Sequence, residues 1–301
     1  MAQQSGINDL AQMGFAKSTA YDQHRPGYST TATDQLLKQI RVAGTKPARI
    51  LDLAAGTGKF TENLVGRGEG FEVIAVEPHD GMREVLAKKQ LPGVTVREGT
   101  ADSLPLEDDS VDAITVAQAF HWFATKDVLK ELHRVLKPHG ALGLLWNIED
   151  YNAPRDHEAA TPWEAKIQDL TWSFDDKEPR FRHLQWRKVF DEQSKSTPLS
   201  LIIASEQYFS LPLGEYQEPF TTWLPKEKVW ERYSTISHIA VLEGEARERT
   251  YKTFIDAING PEVEVNDKGE VAVHGNTFVV WTTKIPEDGR GSLTDVERPG
   301  A

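Results

Sequence analysis

The stretch Asp52-Leu53-Ala54-Ala55-Gly56-Thr57-Gly58-Lys59 decides the fold. An apolar run, Arg49 to Leu53, precedes it, and a helical pattern, Lys59 to Val65, follows it. The spacing predicts a strand, a tight turn and a helix. Small residues at 54, 55, 56 and 58 let the backbone approach a ligand where larger side chains would collide. Backbone N–H groups at the helix start then face that ligand. A P-loop would need glycine at 53 and Ser or Thr at 60, where the chain has Leu53 and Phe60. A dinucleotide fingerprint would need a third glycine at 61, where Thr61 stands.

Working outward, helix and strand patterns alternate with short links from Thr33 to Leu145, the signature of βαβ units. Further strands are expected at Glu72 to Val76, Val94 to Arg97, Val111 to Val116 and Ala141 to Trp146. Asp80 is expected to cap a helix whose Met82, Val85 and Leu86 share one face. Leu129, Leu132 and Leu136 face inward from a second, Lys126 to Leu136.

After Asn147 the texture changes to an aromatic-rich, charged stretch without period-2 alternation, read as a helical insertion to about residue 198. Leu199 to Ser205 reads as a sixth strand, Phe220 to Leu242 and Glu245 to Ile258 as helices, and Asn276 to Thr283 as the last strand. The expected fold is α/β: a doubly wound, seven-stranded, mostly parallel sheet with a helical cap. Its parts would be an N-terminal lid segment (1–32), a core (33–147), a cap (148–275), a final core strand (276–284) and a polar tail (285–301).

Two acids extend the signal from the glycine turn. Glu77 ends the second strand, where a carboxylate can accept both hydroxyls of a ribose. Asp102 follows the third strand, where a side chain can accept from an adenine amine. Three successive strand ends on one sheet edge point to a nucleoside ligand.

These features resemble the class I S-adenosylmethionine-dependent methyltransferases, specifically the type 11 group, with its ubiquinone/menaquinone and trans-aconitate methyltransferase relatives. The resemblance rests on the turn at 52–58, Val73 to Pro78, Ala101-Asp102-Ser103-Leu104-Pro105-Leu106 before Asp109-Ser110-Val111-Asp112, and Arg134-Val135-Leu136-Lys137-Pro138. The opening Tyr21-Asp22-Gln23-His24-Arg25-Pro26-Gly27-Tyr28 is similar to that of the subset with a helical cap. The cofactor so implied is S-adenosylmethionine, with S-adenosylhomocysteine as product. Ala54, Gly56, Gly58 and Gln118 would lie by its methionine portion, Glu77 by the ribose, and Ala101 and Asp102 by the adenine. Asp52, Pro78 and Met82 complete the expected cofactor set. Ala54 stands where the family usually has a glycine, and His139 replaces another after Lys137-Pro138.

The acceptor is less legible. Tyr21 and Arg25, four apart, share a face if Phe15 to Gln23 is helical, and Arg25 would pair with the cofactor carboxylate as part of a lid, or else with Asp22. His121, in Ala117-Gln118-Ala119-Phe120-His121-Trp122-Phe123, and His238 in the cap are the candidate bases. Trp122, Trp223, Tyr233 and Ser237 are the candidate pocket residues, with packing the alternative for each.

The chain has 301 residues, 39% of them hydrophobic, no cysteine, and a net charge of −12. Disulfides, thiolate nucleophiles and cysteine-ligated zinc are thereby excluded. An acidic chain disfavours nucleic acid, which calls for a basic stripe; the cluster Arg180, Arg182, Arg187, Lys188 is broken by aromatics. The amino terminus lacks the basic and apolar regions of a secretory signal, and no apolar run approaches the ~20 residues of a membrane span. A cytoplasmic monomer or homodimer acting on a small-molecule acceptor, without a metal, is expected. A non-catalytic cofactor-binding regulator and a NAD-dependent oxidoreductase are the alternatives.

Overall fold

The computed structural model describes residues 27–44, 47–174, 179–194 and 207–286. Seven strands form one sheet: β1 (Arg49–Leu53), β2 (Glu72–Val76), β3 (Val94–Arg97), β4 (Val111–Ala117), β5 (Leu136–Glu149), β6 (Gly214–Leu224) and β7 (Val271–Thr283). Their order is β3-β2-β1-β4-β5-β7-β6. β1 to β5 are parallel, and β7 runs antiparallel to both its neighbours. The carboxyl ends of β1, β2, β3, β4 and β5 therefore share one edge, with the start of β7 beside the end of β5.

The strands are apolar on both faces because helices cover both. On one face, α1 (Thr30–Gln39) sets Leu36 and Leu37 against Ile50, Leu145 and Val279, with Phe60 and Leu64 of α2 (Lys59–Gly66). α1 lies so close to β5 that a Cβ on Gly143 would come within 2.6 Å of Leu36 Cδ1. α3 (Asp80–Lys88) follows β2, capped by His79, whose Nδ1 accepts from Met82 N at 3.3 Å. The cap residue is thus one earlier than the expected Asp80. On the opposite face, α4 (Lys126–Val135) inserts Leu129 and Leu132 among Val116, Leu144, Trp146 and Trp186.

Beyond β5 lie α5 (Pro162–Ser173), α6 (Lys188–Ser194), α7 (Lys226–Tyr233), α8 (Ser237–Ala240) and α9 (Gly244–Ile258). Trp163, Ile167, Tyr233, Ile239 and Phe254 form their own core, which reaches the sheet at Val271 and Val273. An ion pair between Arg232 and Glu149, both 3% exposed at the side chain and 2.6 Å apart, joins this cap to the end of β5.

The sheet has the expected seven-stranded, mostly parallel architecture, with three departures in its elements. Phe220 to Leu224 is the end of β6 and not helix; the helix starts at Lys226. The edge strand owes its extended form to eleven residues paired with β7, from Gly214↔Trp281 to Leu224↔Val271. Tyr233 and Ser237 do not share a helix either, because the chain turns at Ser234 to Ile236 between α7 and α8. β7 begins at Val271, five residues before the expected start. The strand expected at 199–205 lies outside the described residues, as do Tyr21 and Arg25.

Candidate functional site

β1 delivers its last residues to the carboxyl edge beside β2, with Leu53 opposite Val76. Ala55 N–H donates to Val76 O at 3.1 Å and Gly58 N–H to Ala55 O at 2.9 Å, folding the turn back on itself. Ala54, Gly56 and Gly58 take φ of 53°, 59° and 88°, in the left-handed region. A Cβ on Gly58 would overlap Leu86 Cδ1, and one on Gly56 would lie 3.8 Å from Met82 Sδ. Met82 and Leu86 of α3 thus support the turn from behind.

Glu77 closes the turn from the neighbouring strand. Its Oε2 accepts from Gly56 N–H at 2.9 Å and its Oε1 from His79 N–H at 2.8 Å. Burial raises its pKa, and the two backbone N–H groups and Arg83 work against that shift. Each oxygen has a second lone pair for a ligand hydroxyl. Arg83 donates to the carbonyls of Glu77 and Pro78 at 2.9 and 3.0 Å, fixing the strand exit.

Asp52 is fully buried under the turn. Its carboxylate accepts from Thr61 Oγ1 at 2.6 Å and Thr115 Oγ1 at 3.2 Å. Burial pushes its pKa up to about 6, against those two hydrogen bonds, with the Glu77 charge adding to the rise.

A cleft opens on this turn. Four expected residues line it: Asp52, Ala54, Gly56 and Gln118. Tyr28, Thr57, Lys59, Phe60 and Ala117 also line it and were not expected as site residues. Tyr28 packs edge-on against Phe60, ring centres 5.2 Å apart, and its carbonyl accepts from Asn63 Nδ2 at 3.0 Å. Its place in the opening motif was the available signal.

The remaining expected residues spread out. Ala101 is buried at the end of the β3 link, with Asp102 exposed beside it. Trp122 lies under the Arg180 guanidinium, 4.5 Å from its ring centre, and Arg180 Nη1 donates to Ser237 Oγ. Trp223, at the end of β6, is half-buried and does not line the cleft. Tyr233 is a core residue: fully buried, its hydroxyl 3.2 Å from Thr171 Oγ1, and its pKa pushed up to about 12 by burial. His238 is buried in the cap against Phe174, 5.3 Å between ring centres.

His121 is buried, and the Trp146 indole N–H donates to its Nδ1 at 3.1 Å. Indole is a donor only, so Nδ1 is an acceptor and the neutral ring carries its proton on Nε2. While this bond is made, the Nδ1 lone pair of His121, one of the two candidate bases, is occupied. The basic cluster is no surface stripe, since Arg180 and Arg182 are buried and Arg187 pairs with Glu215 at 2.6 Å.

Residues 51–144 match the family model described as a methyltransferase domain. The chain is 39% identical over 170 residues to an uncharacterized methyltransferase-like protein of Schizosaccharomyces pombe, covering 56% of this chain and 62% of that one. It is 46% identical over 131 residues to an uncharacterized methyltransferase of Mycobacterium tuberculosis, covering 44% and 50% respectively. The matches thus span less than two thirds of either relative. The solved YcgJ protein of Bacillus subtilis shares the fold, with a TM-score of 0.52 at 20% identity, over 86% of this chain and 100% of that one. Among the described residues no helix is long and apolar enough to cross a membrane.

Proposed function

We propose that this member of the class I methyltransferases, type 11 group, transfers a methyl group from S-adenosylmethionine to a small-molecule acceptor. The observation that carries the proposal is the joint between Glu77 and Gly56, which sets a buried carboxylate against a turn held in left-handed backbone at Ala54, Gly56 and Gly58 and closed to any side chain at Gly58. That pairing suits an adenosyl group: Glu77 accepts from the ribose hydroxyls while the turn admits the chain beyond the sugar.

When bound, the cofactor supplies a methyl group on a positively charged sulfur that leaves as a neutral thioether. The chain's task is then to bind, orient and exclude water. Gly56 and Gly58 admit the methionine portion, and Gln118 offers it an acceptor. Ala101 and Asp102 flank the adenine, and Asp102 accepts from its amine. Tyr28 and Phe60 wall the cleft from solvent. The acceptor enters near Trp122, which follows Gln118 at the end of β4. Orienting two reactants is worth up to roughly 7–11 kcal/mol of a barrier, so a strong base is not required of this site.

Incubation with methyl-labelled cofactor and a metabolite extract tests the proposal. Label on a small-molecule product supports it. Label retained on the cofactor, with the protein saturated, would leave a binding protein and not a transferase.

A further inference from the structure

We infer that Asn147 is a positioning residue for the amino-acid end of the cofactor, an inference that rests on the proposed cofactor. Asn147 lies in β5 and is 4% exposed. Its side chain carries one acceptor oxygen and one amide nitrogen, both with partners, and the Gly27 carbonyl, which can only accept, fixes which end is which. Thr277 Oγ1 donates to Oδ1 at 2.8 Å, which turns Nδ2 toward the Gly27 carbonyl, 3.0 Å away. The backbone carbonyl of the same residue accepts from Gln118 Nε2 at 2.8 Å.

One residue thus holds two walls of the cleft. Tyr28, next to Gly27, lines it on one side and Gln118 on another. Gln118 sits at φ 62°, a conformation side chains ordinarily avoid, and the bond to Asn147 ties its amide down there. With Nε2 engaged, Oε1 is the group Gln118 offers a ligand, an acceptor suited to an ammonium. The nucleoside end is held by other means, through Glu77 on Gly56 and His79. A fault at Asn147 therefore acts on one end of the ligand.

Two ligands separate the ends: S-adenosylhomocysteine, and 5′-methylthioadenosine, which keeps the nucleoside and the sulfur but lacks the amino acid. Both are titrated calorimetrically into wild type, Asn147→Asp and Thr277→Val. The aspartate still accepts from Thr277 but sets an oxygen against the Gly27 carbonyl. Asn147→Asp is expected to weaken S-adenosylhomocysteine about tenfold or more, the size of a lost buried hydrogen bond with an unsatisfied partner. It should leave 5′-methylthioadenosine unchanged. Thr277→Val, which removes the donor to Oδ1 and leaves the Gly27 bond in place, should show the same selectivity to a smaller extent. Equal weakening of both ligands, or none for S-adenosylhomocysteine, overturns the assignment alone. A wild type that binds neither ligand overturns the cofactor proposal, and this one with it.

Discussion

The Trp146 indole N–H ends on His121 Nδ1, 3.1 Å away, and both rings are buried. This bond commits the lone pair that a general base would use. Loss of a true base lowers turnover about 10²–10⁴-fold. His121→Gln, which keeps an acceptor for the indole, is expected to retain activity within about tenfold, well short of that range. His121→Phe strands the indole N–H and should cost about 1–3 kcal/mol of stability. Steady-state kinetics and thermal unfolding check the pair.

Ala54 holds a φ of 53° that glycine adopts freely. Left-handed backbone costs a residue with a Cβ about 1–2 kcal/mol, part of which glycine returns as unfolded-state entropy. Ala54→Gly should therefore stabilise the fold by up to about 1 kcal/mol. Gly58→Ala acts oppositely, since it adds the same strain and drives a Cβ into buried Leu86. It should lower the unfolding temperature and weaken S-adenosylhomocysteine together.

Asp52 gives a pH signature. Its folded pKa, about 6, lies above the ordinary value of 3.8, so the folded state holds the proton more tightly than the unfolded chain. Below pH 3.8 the group is protonated in both states and costs nothing. As pH rises through 6 the folded state is penalised by about 3 kcal/mol, at 1.36 kcal/mol per unit. Asp52→Asn should lack this loss. Denaturant unfolding at pH 4.5 and 7.5 is the check, with the wild type losing more stability than the variant over that interval.

How much of this was legible follows from the range of the forces involved. The glycine turn was readable because its requirement is local: a missing Cβ, a left-handed φ, a strand before and a helix after. β1 to β4 were readable for the same reason, as short apolar runs between turn signals. β6 was not, because its charged and aromatic residues carry little period-2 signal and its partner is β7, from Gly214↔Trp281 onward. Asn147 was invisible as a site residue, since its side-chain partners lie 120 and 130 residues away. Tyr233 and Ser237 looked like one helix face because nothing in Ser234-Thr235-Ile236 announces a break. Glu77 and Gln118 were placed at the ends of β2 and β4 by a rule of topology that needs no long-range contact.

Titration of purified protein with S-adenosylhomocysteine and, separately, with NAD tests the central claim most directly. The account predicts saturable binding of S-adenosylhomocysteine, at least tenfold weaker in Glu77→Ala because the ribose loses its acceptor, and no heat with NAD. Absence of binding by S-adenosylhomocysteine to the folded wild type would contradict it.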